Sequence, residues 1–416
     1  MPDILRYLGL KEESSFNPGT PPASEIHLDI ASATLDSPTE AQMIYDGGMG
    51  RAPKLHRPGF YNPTGNIVYA FDIKTIAFLL KWALGGYAFT AGLTVVDGSS
   101  VEAVDDNGTY RLEMADADAS NLPEVGDVIV LSGFTEDQNN GNFKVLEILE
   151  GQGGTTDETH ITVEQTLVNE AGTTITIQHL NVQEAWGSGD VILDSFTARL
   201  GKDTFEHVFA GCVINSLEIS VEGEYCMATA DISSARDSKA TIKNISDLAL
   251  PDEYPLAFHE VTASLRGVDR SCDVKSLTLT INNNLDAESG RGLGTRYPCR
   301  IPAGQREVTL AKTLYFENTE ELEQYWGAED GPDDTIGSTE FAVELNFDAG
   351  IHGEMTITIP KFIYTQTPLQ PSGRDEMEQE TEGRAFQEGD VQLEDASTVD
   401  TDIYASISNN SSEVTS

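Results

Sequence analysis

Between residues 25 and 364 the chain is built from short runs in which apolar and polar residues alternate, rich in Val, Ile and Thr. A period of two turns one face of each run toward a core and the other toward water, so the chain is restricted to a mainly β fold. The runs cover residues 25–35, 66–71, 128–131, 174–179, 196–200, 216–221, 261–265, 276–281, 307–316, 341–347 and 355–364. Two segments break the period toward helix. Asp72 is a good N-cap for IKTIAFLLKWAL, and Gly85 with Gly86 suits its C-terminal cap. Ile73, Ile76, Ala77, Leu80, Ala83 and Leu84 form one apolar face; Phe78, Leu79 and Trp82 widen it, which predicts burial on more than one side. The second helix is shorter: Asn318 can cap TEELEQYW, and Gly327 stops it.

The two helices sit in matching surroundings, which points to an internal duplication. Each follows a strand ending in an aromatic–acid pair, Phe71-Asp72 and Phe316-Glu317, and each carries a Trp near its end, Trp82 and Trp326. Each also comes after a long loop, residues 34–61 and 282–305. The shared order is strand, strand, long loop, strand, helix, strand, strand. The expected organisation is a first unit of residues 1–90 with 191–250 and a second unit of residues 251–394. Residues 91–190 read as a small β-barrel or sandwich inserted at a surface loop, where insertion costs little. Residues 395–416, polar and without period, read as an extended tail. Ile76, Leu80, Trp82 and Trp326 are the expected core residues of the helices.

The chain holds 69 Asp and Glu against 25 Lys and Arg, a net charge of −44. The excess is spread along its length: residues 91–190 contain 19 acids and two bases, Arg111 and Lys144. Such a chain repels nucleic acid rather than gripping it by counterion release. Like charges at this density oppose compaction unless salt screens them, and the Debye length falls from ~10 Å at 0.1 M salt to ~3 Å at 1 M. The chain is therefore expected to work in high salt. A hydrophobic content of 39% still supplies real cores, which excludes a wholly disordered chain. Cys212, Cys226, Cys272 and Cys299 have no metal-like spacing and read as buried small apolar residues. MPDILRYLGLKEE lacks the order of a signal peptide, and the longest apolar stretch, residues 76–84, is interrupted by Lys81 and too short to span a bilayer. A soluble protein without a membrane partner is expected.

No catalytic, cofactor-binding or metal-ligating set stands out. Gly290-Arg291-Gly292-Leu293-Gly294 has the wrong spacing for a dinucleotide loop, and His259-Glu260 lacks the second His of a zinc protease. Asp105-Asp106-Asn107-Gly108 opens like a calcium loop but lacks the alternating ligands and closing Glu, so it reads as a turn. An enzyme is not expected, and no cofactor is implied. The placement of the bases is more informative. Arg51, Lys54 and Arg57 fall in the first long loop, Arg291, Arg296 and Arg300 in the second, and Arg306 just after it. Guanidinium forks match carboxylates, so these seven are candidates for contacts with acidic surfaces of neighbouring copies.

Five segments, residues 6–23, 50–85, 201–225, 272–284 and 357–377, taken in this order resemble siphovirus tail tube proteins. RYLGLKEESSFNPGTPPA (residues 6–23) is similar to their opening, where a first strand leads to a Glu-Glu and a Gly-containing turn. GRAPKLHRPGFYNPTGNIVYAFDIKTIAFLLKWALG (residues 50–85) resembles their Arg-rich loop, Gly-led strand and main helix. GKDTFEHVFAGCVINSLEISVEGEY (201–225), CDVKSLTLTINNN (272–284) and ITIPKFIYTQTPLQPSGRDEM (357–377) resemble the following strands, the start of a second unit and the usual ending. The resemblance leaves out only the insert and the C-terminal tail. It implies a duplicated tail-tube fold, with two packed β-sheets and one flanking helix per unit, and a major tail tube subunit whose stacked rings form the conduit for genome delivery. A distal-tail or baseplate hub protein of the same fold is the alternative. Rings of this family are usually built from six units, so two units per chain favour a trimer over a hexamer. The implied partners are further copies of the chain, a tape-measure protein and viral DNA in the lumen without specific binding, and tail terminator and baseplate proteins. The implied location is the virion tail, assembled in the host cytoplasm, and the acidity suggests a virus of a halophilic archaeon.

The charge arithmetic carries a direct test. Folding or assembly is expected to fail below about 0.5 M salt, where screening of the acidic surface weakens. A chain that remains folded and assembled in dilute buffer, followed by circular dichroism and sedimentation, would overturn the high-salt reading.

Overall fold

The computed structural model describes residues 6–24, 26–38, 42–45, 55–115, 120–152, 158–248, 254–316, 318–334, 337–369 and 377–411. The chain begins with β1 (Leu8–Glu12), β2 (Ile26–Leu28), β3 (Ser32–Ala33), the hairpin β4 (Gln42–Tyr45) and β5 (Leu55–Pro58), β6 (Thr64–Ala70), helix α1 (Ile73–Leu84) and β7 (Gly85–Thr90). Then come β8 (Thr94–Asp106), β9 (Thr109–Ala115), β10 (Val128–Ser132), β11 (Gly141–Gln152), β12 (Glu158–Val163) and β13 (Glu170–His179). The middle holds β14 (Asn181–Gly187), β15 (Phe196–Lys202), β16 (Phe205–Val221), β17 (Met227–Ser233) and β18 (Arg236–Ala240). The last third gives β19 (Val261–Leu265), β20 (Val268–Asp269), β21 (Val274–Asn282), β22 (Glu307–Tyr315), helix α2 (Glu320–Trp326), β23 (Phe341–Asp348), β24 (Glu354–Gln366), β25 (Glu378–Ala385), β26 (Glu388–Gln392), β27 (Thr398–Thr401) and β28 (Tyr404–Asn409).

Strand pairing repeats itself along the chain. In the first copy the antiparallel neighbours run β1–β15–β16–β17–β6–β3, and α1 follows β6. In the second they run β19–β23–β24–β25–β22–β21, and α2 follows β22. The irregularities repeat as well. The register of β15 on β16 skips between Phe196↔Cys212 and Ala198↔Phe209; that of β23 on β24 skips between Phe341↔Phe362 and Val343↔Ile359. A second skip follows Ile214 in β16–β17 and Tyr364 in β24–β25. Bulges re-aim a strand and behave as built features, so their recurrence aligns Cys212 with Phe362 and Ile214 with Tyr364. The copies are joined directly, because β16 pairs with β21 from Ser216↔Asn282 to Val221↔Leu277.

Helix α1 lies at the centre of the main core. Asp72 Oδ1 accepts from the Lys74 and Thr75 amides at 2.8 and 2.7 Å, and Gly85, at φ +83°, returns its N–H to the Lys81 carbonyl. Ile76, Leu80 and Trp82 are fully buried. Trp82 stacks on Phe196 with centroids 4.3 Å apart, and its indole N–H donates to Glu12 at 3.2 Å. Glu12 also pairs with Lys81 Nζ at 2.5 Å, so a buried carboxylate ties β1 to the helix. The neighbouring Glu13 accepts from Ser195, Thr197, and the amides of Gly211 and Asn17 at 2.7–3.1 Å, fastening β1 to β15 and β16.

Four expectations need correction. Trp326 is half-buried and outside the apolar core, because the seven-residue α2 lies on the surface and is anchored by charge instead. Residues 395–411 are no free tail: β28 inserts between β14 and β24, and Ile403, Ala405 and Ile407 are buried. The insert closes into a six-stranded barrel of β8–β13, but β14 returns to the main sheet beside β7, so the barrel is shorter than residues 91–190. Cys212 and Cys226 are buried, whereas Cys272 and Cys299 are exposed. The turn at Asn107 and Gly108, with φ of +54° and +94°, simply joins β8 to β9.

Truncating a fully buried, stacked indole leaves a cavity and removes one of the two donors to Glu12 Oε2, the other being Lys81 Nζ. Trp82→Ala is therefore expected to cost about 3–5 kcal/mol, read as a lower denaturation midpoint in molar salt. An unchanged midpoint would remove α1 from the centre of the core.

Candidate functional site

The two long loops meet within the chain. The Tyr61 amide donates to the Arg296 carbonyl at 2.9 Å, and Arg296 Nε donates to the Gly59 carbonyl at 3.2 Å. The Arg296 guanidinium lies 4.9 Å from the Tyr61 ring centre, and that of Arg291 lies 4.3 Å from the Phe60 ring centre. Arg291 also pairs with Glu288 at 2.9 Å. These two arginines fasten one loop to the other. Arg57, on β5, and Arg300 are exposed; Arg51 and Lys54 lie outside the described residues.

Arg306 departs furthest from expectation. Its Nε lies 3.1 Å from each Asp402 carboxylate oxygen, its Nη2 2.7 Å from Oδ1, and its Nη1 donates to the Ser188 carbonyl at 2.8 Å. The side chain is only 15% exposed. It is an internal clamp between the second loop and the C-terminal strands rather than an outward contact.

Among the described residues, Glu113, Glu158 and His160 form the single cluster with metal-ligand spacing, and Arg111 already holds Glu113 at 2.5 Å. No described helix is long and apolar enough to cross a membrane. Open sheet edges also lie among the described residues. Beyond Phe362, β24 keeps β25 on one side up to Gln366, while no described strand pairs with its other side. Likewise β3 pairs with β6 on one side alone.

A sequence model of phage tail tube proteins matches residues 5–385. The chain belongs to the phage tail tube protein family. No curated protein matches it. Membership makes it a structural component of the virion tail rather than a member of an enzyme class. The matched span takes in both copies of the repeated pairing and the barrel between β7 and β14, and ends with β25.

This tail tube protein also contains a buried polar chain that anchors α2. Arg266 holds Glu321 through two bonds of 2.9 and 3.3 Å, the Tyr364 hydroxyl donates to Glu321, and Lys312 Nζ donates to Tyr364 at 2.5 Å. Burial alone would raise the Glu321 carboxyl, but Arg266, Lys312 and Tyr364 together bring it below its ordinary value. The sequence carried a signal for this cluster. In EVTLAKTLY the inward positions are Val308, Leu310, Lys312 and Leu314, so a lysine stands in the apolar phase of a strand.

Burial pushes the Lys312 ammonium from its ordinary 10.5 down to about 7, against the pull of Glu321. Between those values the unfolded chain binds the additional proton, so stability rises with pH by up to about 1.4 kcal/mol per unit. The denaturation midpoint in molar salt is expected to climb from pH 7 toward pH 9.5, and Lys312→Met is expected to flatten that climb. An identical slope in the variant would exclude Lys312 as its source.

Proposed function

We propose that this protein is the major subunit of a tail tube, whose rings stack into the conduit through which the genome passes. The observation that supports this best is the repeated strand and bulge order, which gives one chain two tube units. Three chains then supply the six units of a ring. An acidic lumen would let DNA pass without adhering, with a tape-measure protein filling it before ejection. The exposed Arg57 and Arg300 are suited to carboxylates of neighbouring rings. The net charge of −44 fits a virus whose host cytoplasm, where the tail is assembled, is rich in salt.

The barrel of β8–β13 leaves the body after β7 and returns at β14, with its own apolar core around Val96, Leu112, Ile129, Ile161 and Ile177. Such an appendage is best placed on the outer wall. It touches the body through polar bonds, Asn142 Nδ2 donating to the Ile351 carbonyl at 2.6 Å and Asn410 Nδ2 to Asn142 Oδ1 at 2.9 Å.

Electron microscopy of the assembled protein tests this reading. Long tubes with three outer knobs per ring are expected, because the barrel occurs once per chain. Replacing the barrel with a Gly/Ser linker should leave narrower tubes intact. Six equivalent knobs would exclude the trimer. Closed single rings that never stack would favour the distal-tail or baseplate hub.

A further inference from the structure

The repeated pairing leaves two edges unmatched, and the chain contains the junction that would join them. In the first copy the C-terminal half of β16 has β17 on one edge and β21 on the other. In the second copy the corresponding half of β24 has β25 on one edge and no described strand on the other, where the Tyr364 amide donates to the Ser338 hydroxyl at 3.1 Å. The element corresponding to β21 is β3. Val68 of β6 faces Ser32 and Thr64 faces Asp36, as Thr313 of β22 faces Ser276 and Thr309 faces Thr280. The outer edge of β21 is covered by β16, whereas that of β3 has no described strand beside it.

We infer that residues 363–369 of one chain add antiparallel to residues 32–38 of a second copy, repeating between chains the β16–β21 junction made within each chain. This rests on the tube reading above. The bulge alignment fixes the register. Ser216↔Asn282 becomes Gln366 opposite Pro38, Leu217↔Ile281 becomes Thr367 opposite Ser37, and Ile219↔Leu279 becomes Leu369 opposite Leu35.

The side-chain phase agrees with that register on both strands. Leu217 and Ile219 point inward in β16; in the same phase Thr367 is buried and Leu369 half-buried, between exposed Gln366 and Pro368. On the other strand Leu277 and Leu279 are buried, and in the same phase Ala33 is half-buried and Leu35 buried, between exposed Ser32, Thr34 and Asp36. Thus residues 363–369 keep the alternation of a paired strand beyond the point where pairing stops. The Thr367 hydroxyl is buried without a hydrogen-bond partner, as expected at an edge whose neighbour is missing.

The occupant is a second copy because the two open edges come from corresponding places in the two repeats and are complementary to each other. Such a head-to-tail contact closes into a ring when the rotation between repeats divides the circle.

Cross-linking across the proposed register tests the junction. Ser37→Cys and Thr367→Cys are combined in the full chain, with exposed Cys272 and Cys299 changed to Ser. Oxidised in assembled tubes, this variant is expected to run as covalent multimers ending at three chains on a non-reducing gel, while either single cysteine gives no ladder. A variant carrying Ser216→Cys with Asn282→Cys should instead cross-link within one chain and shows that the template register is accessible to oxidation. Hydrogen exchange of the unmodified protein supplies the second readout: the amides of Ala33, Leu35, Thr367 and Leu369, which face the junction in this register, should gain at least tenfold protection on assembly. Tubes without cross-links and without that protection would overturn the junction and leave the tube reading standing. Absence of tubes from the unmodified chain in molar salt would remove the tube reading and this inference together.

Discussion

The fold depends on one strand having both edges covered along its whole length. β16 runs from Phe205 to Val221, with β15 and then β21 along one side and β18 and then β17 along the other. Its two halves belong to different sheets, and the bend between them falls at Gly211, with φ of +66°. A Cβ there would lie 2.8 Å from the Ala235 methyl carbon, so only glycine fits the turn. The Gly211 amide donates to buried Glu13, while its carbonyl and that of Ala210 accept from the Ala235 amide. The bend is thus held by hydrogen bonds on both sides. Where β24 repeats this course, it lacks its last neighbour, and the molecule is left with an open edge.

Several of the scarce bases form pairs inside this acidic protein. Lys81 with Glu12, Arg199 with Glu206, Arg266 with Glu321 and Arg306 with Asp402 all pair where water has little access. Each would leave an uncompensated buried carboxylate if the base were removed, a large penalty. The net charge of −44 leaves the exterior acidic, so two copies repel each other at long range. Strand addition suits such a surface. Its contacts are neutral amides and carbonyls at close range, and salt removes the repulsion without weakening them as it would weaken exposed ion pairs.

How much could be read from the residues varied with the local physics. Helix α1 was legible to its ends, because Asp72, a wide apolar face and Gly85 all act within a few residues of one another. The barrel was legible as a block of strands and turns, such as Asn107-Gly108, that needed no distant partner. Trp326 misled because an aromatic residue near a helix end looks the same whether the helix is held by a core or by Arg266 and Glu321, and the latter pairing spans 55 residues. β28 was missed because Ile403, Ala405 and Ile407 are few among Ser and Asn, and their burial depends on β14 and β24 lying on either side. Arg57 lies on β5 rather than in a loop, and for Arg291 and Arg296 whether the guanidinium turns outward or onto Phe60 and Tyr61 is decided by the other loop.

The C-terminal strand also explains how the second repeat survives a departure from the first. In the first repeat β17 continues into β18, so one neighbour accompanies β16 from end to end. In the second, β25 reaches back along β24 only as far as Phe362, and without another strand residues 354–358 would be left with β23 alone. β28 takes that place, pairing Glu354 with Ser408 through Thr358 with Tyr404. Its other edge pairs with β14, and Asn409 donates to the Ile73 carbonyl at 3.2 Å, so the same strand closes the sheet over the start of α1. β28 lies beyond the residues matched to the family, which end at 385. A segment outside the shared fold therefore completes its second half, covering the edge nearest the core while the edge suited to a neighbouring chain is left open.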